Sequence, residues 1–166
     1  MSQRAPERLT HLDASGAARM VDVGAKPITQ RMARAEGWVR ISPELERAIR
    51  ENSLAKGSLV EVARLAGIQA AKRTGELIPL CHALPLDSID VDISVHPGRV
   101  RVEATSRATA RTGVEMEAFT AVAAACLTVV DMGKAIDRGM VIEGIRLLEK
   151  RGGSKGDFVA LAEGTP

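Results

Sequence analysis

The stretch Ala118–Lys134, AFTAVAAACLTVVDMGK, decides the fold. From Ala118 through Val130 it contains no charge, no glycine and no proline. A helix that is apolar all round is buried, and this run is shorter than the roughly 20 residues that span a bilayer. It reads as a core helix from about Gly113 to Ala135. The run ends at Asp131 and Lys134, an acid and a base three residues apart on one helix face. Isolated charges are costly to bury. Three readings therefore stand: an exposed pair, a buried structural pair, or the working groups of a pocket.

On the N-terminal side, Ile89, Val91, Ile93 and Val95 alternate with Asp90, Asp92 and Ser94, and Val100, Val102 and Ala104 alternate with Arg99, Arg101 and Glu103. Pro97-Gly98 joins the two runs into a hairpin with one buried face. Ser42-Pro43-Glu44 is a helix start, with a capping serine, proline in the first turn and acids at the positive helix end; that helix is predicted to run to about Asn52. A second helix is predicted from Ser58 to Thr74, with Leu59, Val62, Ala63, Ala66 and Ala70 at helical spacing and Gly75 as its stop. Leu77 to Leu86 reads as an apolar loop. Trp38 to Ile41 reads as a short strand, with weaker strand character at Met20-Val21-Asp22-Val23.

On the C-terminal side, Met140 to Glu149 reads as a last strand. Strict alternation puts Val141, Ile145 and Leu147 on one face and Ile142 and Leu148 on the other, so both faces look covered and association is expected. The order strand, helices, hairpin, helix, strand predicts an α+β fold, a ferredoxin-like sandwich of an antiparallel sheet with helices on one face. The expected organisation is a flexible N-terminal tail over 1–8, one domain over 9–158 and a flexible C-terminal tail over 159–166.

Composition narrows the function classes. The chain has 166 residues, enough for one domain with a real core. A net charge of +2 gives no electrostatic footprint for nucleic acid, and with 2% aromatic residues there is no base-stacking platform. Neither nucleic acid nor membrane is expected as a partner. Cys81 and Cys126 form no disulfide framework, which with the absence of a signal-peptide pattern predicts the cytoplasm.

Chargeable groups lie in apolar or glycine-flanked settings at Lys56-Gly57, at Leu77 to His82, at Thr112 to Glu117, and at Asp131 with Lys134. Each has a plain alternative. Lys56 could be a solvated cation before a helix, and His82 a hydrogen-bonded structural residue. A histidine side chain is also a candidate acid, base or phosphate contact. Glu115 and Glu117 suit a helix N-terminus in any case. Cys81-His82 lacks the paired spacing of a structural zinc site, so no metal-ligand set is read. Gly152-Gly153-Ser154-Lys155-Gly156 resembles an anion-binding nest near Lys150 and Arg151. It is not a P-loop, since no helix-forming segment follows and Lys155 is not at the Walker position. Glu117 and Asp131 are fourteen residues apart, about 21 Å of helix rise with an angular offset of about 40°. They share a side of the helix but cannot share one small ligand within a subunit. A site using both is composite, formed across a subunit interface, or one of the two works elsewhere.

Leu9-Thr10-His11, Met20-Val21-Asp22-Val23, Lys56-Gly57, Ala70-Ala71-Lys72-Arg73-Thr74, Leu77 to His82, Thr112 to Ala118 and Asp131-Met132-Gly133-Lys134-Ala135 together resemble the molybdenum cofactor biosynthesis protein C (MoaC) family. The resemblance spans roughly Leu9 to Phe158, and its most specific parts are Leu-Ile-Pro-Leu-Cys-His and Thr-Gly-Val-Glu-Met-Glu-Ala. It implies a lyase of the phosphorus–oxygen type, cyclic pyranopterin monophosphate synthase. The substrate would be a small GTP-derived cyclic nucleotide, 3′,8-cyclo-7,8-dihydro-GTP, and pyrophosphate would be released. It implies a ferredoxin-like subunit in a homo-oligomer, a hexamer built as a trimer of dimers, with the pocket between subunits. No cofactor is required, and a magnesium ion could accompany the triphosphate. By resemblance, Asp131, Lys134 and Lys56 are catalytic. Leu80, Cys81, His82, Glu115, Met116 and Glu117 contact or support substrate, and Arg31, Arg73, His11 and Lys155 contact the triphosphate or line the pocket. Two departures stand out. The family usually ends in Gly-Gly-Lys-Ser-Gly, where Ser154 and Lys155 are exchanged here, and it usually has tyrosine before the Asp-Met pair, where this chain has Val130. The competing class is a non-catalytic oligomeric nucleotide-binding or scaffold domain with the same fold.

Overall fold

Twelve residues from Thr29 to Arg40 form strand β1, the central strand of the sheet. In the computed structural model, which describes residues 15–153 and 156–161, the chain continues through α1 (Pro43–Arg50), α2 (Leu59–Ala71), α3 (Thr74–Leu77), β2 (Ser88–His96), β3 (Arg99–Ala110), α4 (Glu115–Gly133), β4 (Val141–Arg151) and β5 (Phe158–Val159). All strand pairs are antiparallel, in the order β2-β3-β1-β4-β5. Without the short edge strand β5, the order is that of a ferredoxin-like sheet, as the element order predicts. His11, Ser154 and Lys155 lie outside the described residues, as do the expected tail over 1–8 and the last residues, 162–166. Phe158 pairs with Lys150 and Val159 with Glu149, and Ala160 N donates to Leu148 O at 2.8 Å.

Local signals fix the helix starts. Ser42 Oγ accepts from Leu45 N with Pro43 at the first helical position, and Ser58 Oγ accepts from Glu61 N. The predicted second helix divides after Ala71, where Thr74 turns inward, fully buried, with Oγ1 donating to Ala71 O at 3.0 Å. The β2–β3 hairpin closes through Pro97-Gly98, where Gly98 takes φ +71°.

Met20–Val23 forms no strand, and β1 begins nine residues before the predicted Trp38. The sequence of β1 is rich in Ala, Arg, Glu and Met, residues that favour helix in isolation. Tertiary pairing overrides that preference. Ala33, Ala35, Gly37 and Val39 face the helices, while Arg34, Glu36 and Trp38 lie on the open face of the sheet. There Glu36, only 4% exposed, accepts from Arg101 Nε at 2.8 Å and from Arg146 Nε at 2.9 Å. Burial pushes its carboxyl up, but the bonds from the two guanidinium groups outweigh it and hold Glu36 below the usual range. Arg99 stacks on Trp38, 4.6 Å from the ring centroid.

Alternation also fails in β4. The register shifts between Arg34 and Ala35 and between Gly37 and Trp38, and Gly144, unpaired at φ +54°, is the extra residue of the second shift. Ile142 therefore lies opposite Val39, Ile145 opposite Gly37 and Leu147 opposite Ala35, so all three face the helices and pack on the core. Ile142 thus leaves the second apolar face expected of this strand, and Val141, opposite Arg40, is exposed on the open side of the sheet.

Helix α4 crosses β1 and β3, with α2 beside it over β2. Among the described residues it is the one helix long and apolar enough to cross a membrane. Its buried residues, among them Ala118, Ala121, Val122, Ala125, Cys126 and Val129, make it the core helix instead. With few aromatic rings, the core gains from many medium side chains, each full burial of a Val or Leu being worth about 1.5–3 kcal/mol. This requires close approach. A Cβ on Gly37 would lie 2.7 Å from Val122 Cγ1 and 3.2 Å from Ile145 Cγ1. Gly37→Ala is expected to cost about 1–3 kcal/mol through overpacking, read as a lower midpoint in urea unfolding.

Candidate active site

The last turn of α4 carries Asp131, and Lys134 is its C-cap residue, whose N–H donates to Val130 O. A cation there suits the negative end of the helix, whereas a carboxylate does not. Asp131 is tolerated because it holds two ammonium groups. Lys134 Nζ lies 2.6 Å from Oδ1 and Lys56 Nζ 3.1 Å from Oδ2. Lys56 also donates to the Asp131 carbonyl at 3.0 Å, satisfying one of the orphan carbonyls of the helix end. Side-chain exposures of 57% for Asp131, 61% for Lys134 and 48% for Lys56 remove the buried structural pair from the three readings. Hydrogen bonds from Lys134 and then Lys56 hold the Asp131 carboxyl below its usual range. It stays ionised as a base or ion-pair partner, with two proton donors in contact. Beside it, Lys56, Val130, Lys134, Asp137, Arg138 and Met140 line a cavity of about 580 Å³.

The opposite end of α4 builds a second cavity, of about 380 Å³. The loop after α3 doubles back, with Cys81 N donating to Ile78 O and Ala83 packed so closely that a Cβ on Gly75 would lie 3.1 Å from its Cα. This brings Leu80, Cys81 and His82 beside Glu115, Met116 and Glu117 at the start of α4. His82 Nε2 lies 2.9 Å from the carbonyl of Val21. A carbonyl only accepts, so Nε2 carries the proton. Glu117 is 3% exposed and burial pushes its carboxyl up. Burial and the charge of Glu117 push the Cys81 thiol up. Burial alone takes the Cys126 thiol in the core to about 12, leaving it inert as a nucleophile. Glu115 reaches Lys150, 3.5 Å away.

Of the residues singled out in the sequence, two groups meet, one at each end of α4. Arg31 does not join either; it lines a separate cleft with Arg107 and Arg151 at the end of the sheet. Arg73 is exposed at the start of α3. Sequence reasoning missed Lys26, Asp137 and Arg138, which line the cavities. Lys26 lies in a segment without periodicity, and Asp137 and Arg138 follow the helix in what reads as an ordinary polar turn. The DR pair just after Lys134 was the only available signal.

The family model described as MoaC matches residues 20–153, which include both ends of α4 and every strand but β5. The chain belongs to the MoaC family. Curated relatives agree across nearly the whole length. A protein of Parvibaculum lavamentivorans is 55% identical over 94% of this chain and 99% of its own, and one of Methylobacterium sp. is 58% identical over 92% and 96%. One of Streptomyces avermitilis is 52% identical over 93% and 91%. All three are named cyclic pyranopterin monophosphate synthase.

The environment of Glu117 in this MoaC-family chain has a pH signature. Its folded pKa is raised, so the folded state binds more protons than the unfolded state between the ordinary glutamate value and the raised one. Stability therefore falls as pH rises through that window. Glu117→Gln is expected to remove this fall and raise the melting temperature above the window, as thermal unfolding across pH would measure.

Proposed function

We propose that this chain is a cyclic pyranopterin monophosphate synthase of molybdenum cofactor biosynthesis, a lyase that converts 3′,8-cyclo-7,8-dihydro-GTP to cyclic pyranopterin monophosphate and releases pyrophosphate. The observation that carries this reading is the meeting of Lys56, Asp131 and Lys134 beside an open cavity in a chain of this family. Ring rearrangement needs groups that give and take protons, and one carboxylate between two ammonium groups supplies both. Closing the cyclic phosphate expels pyrophosphate, and the cations of the cavity, Lys56, Lys134 and Arg138, stabilise charge where it develops.

The working site is composite. Glu117 and Asp131 are too far apart along α4 to serve one substrate. We therefore assign the Lys56–Asp131–Lys134 end to one subunit and the Cys81–His82–Glu117 end to its neighbour in a homo-oligomer, a hexamer made as a trimer of dimers. Exposed apolar side chains support association. Leu127, one turn before Asp131, is 62% exposed, and Leu65 on α2 is 60% exposed. Arg31, Arg73, His11 and Lys155 are assigned to the triphosphate, which a magnesium ion could accompany. The enzyme acts in the cytoplasm, on a small molecule and not on nucleic acid or membrane.

Purified protein supplied with the cyclic GTP intermediate should release pyrophosphate; binding without release would sink the enzyme in favour of a scaffold. Asp131→Asn and Lys134→Ala are each expected to abolish turnover with the fold retained, because the groups are exposed. Mixed oligomers test the shared site. Asp131→Asn subunits mixed with Glu117→Gln subunits should regain activity, whereas Lys56→Ala mixed with Lys134→Ala should not, since both lysines serve one carboxylate.

A further inference from the structure

Within one subunit Lys56, Asp131 and Lys134 are each close to half exposed or more, so before a neighbour covers them their placement depends on the backbones that carry them. The chain turns sharply after Lys134, with Ile136 N and Asp137 N both donating to Gly133 O at 2.9 and 3.0 Å. The Asp137 carboxylate then takes two backbone donors, Ser42 N on Oδ2 at 2.7 Å and Gly139 N on Oδ1 at 2.8 Å. Bonds from N–H groups to a charged carboxylate are about twice as strong as neutral ones.

Ser42 is the N-cap of α1. The same helix is locked to the end of α4 from the core side, because Leu45 is fully buried and its Cδ2 would lie 2.6 Å from a Cβ on Gly133. The far end of α1 leads through the turns Ser53 N to Ala48 O and Gly57 N to Leu54 O into the loop that carries Lys56. Helix α1, about 12 Å long, is thus a strut. One end is fixed to the segment following Lys134, and the other presents Lys56.

We propose that Asp137 is a positioning residue that ties the Lys134 turn to the start of α1 and so keeps both lysines on Asp131. This rests on the reading of that trio as the acid–base centre. Its carboxylate acts on backbone donors and touches neither lysine, so its loss should loosen the trio without removing any member.

The test uses the full chain with Asp137→Ala and Asp137→Asn. In Asp137→Ala, kcat is expected to fall on the order of ten- to a hundredfold, the effect of a small misplacement of reacting groups, with KM nearly unchanged. Asp137→Asn, which keeps the shape and one accepting oxygen, should recover part of the loss. In ligand-free protein labelled with 15N-lysine, the Lys134 ammonium signal, assigned by its loss in Lys134→Arg, should exchange faster with water in Asp137→Ala than in wild type. A kcat within about twofold of wild type, a rise in KM alone, or an unchanged Lys134 signal would each overturn the proposal. Loss of cooperative unfolding in both variants would also overturn it, making Asp137 a structural residue only. If wild-type protein shows no turnover, the functional reading fails, and the ammonium signal alone decides the role of Asp137.

Discussion

A Cβ on Gly37 would sit 2.7 Å from Val122 and 3.4 Å from the Cys126 sulfur, so α4 can lie on the middle of the sheet only because that residue is glycine. The neighbours repeat the constraint. Ala33 and Ala35 on β1 and Ala104 and Ala108 on β3 are fully or almost fully buried. A sheet surface of small residues lets a helix of Ala, Val and Cys come close, and this close contact replaces the aromatic bulk that the chain lacks. The position of α4 sets both of its ends, and each end carries one of the two clusters. The geometry of the site therefore follows from how the helix is seated.

Charge is distributed by the same logic. The helix face of the sheet is apolar, so polar residues of the strands collect on the open face. There Glu36 is clamped by Arg101 and Arg146, and Arg34 bridges Glu103 and Glu149. These contacts pair each of the three carboxylates with at least one guanidinium group. At the helix ends, by contrast, Asp131 is held against two lysines in an exposed place, and Glu117 is buried in the cavity beside Cys81 and His82. One carboxyl is pushed down and the other up.

Much of the fold was legible in the sequence because its signals are local. The Ser42-Pro43-Glu44 start, the Pro97-Gly98 hairpin and the unbroken apolar run of α4 each act over a few residues. The fold class followed from their order. The first strand was not legible beyond Trp38, because Ala, Arg and Glu favour helix until a neighbouring strand supplies the pairing. The face of Ile142 was misread because one unpaired residue, Gly144, reverses the parity of the residues on one side of it.

For the candidate site, the sequence by itself singled out the residues proposed to carry the chemistry. Asp131 and Lys134 are bound to share a helix face by their spacing, Glu117 is bound to lie far from them along the same helix, and the motif segments place the chain in its family. Only the tertiary structure decided how these groups meet. Lys56 is 75 residues from Asp131 in the chain and reaches it because α1 is anchored beneath the end of α4. Val21 and Lys26 reach the other cavity because the segment before β1 folds over it. Asp137 gains its role from the backbone of Ser42, 95 residues away. Local spacing fixes what lies on one helix, while contacts between distant segments depend on how helix and sheet pack, and no local pattern encodes that.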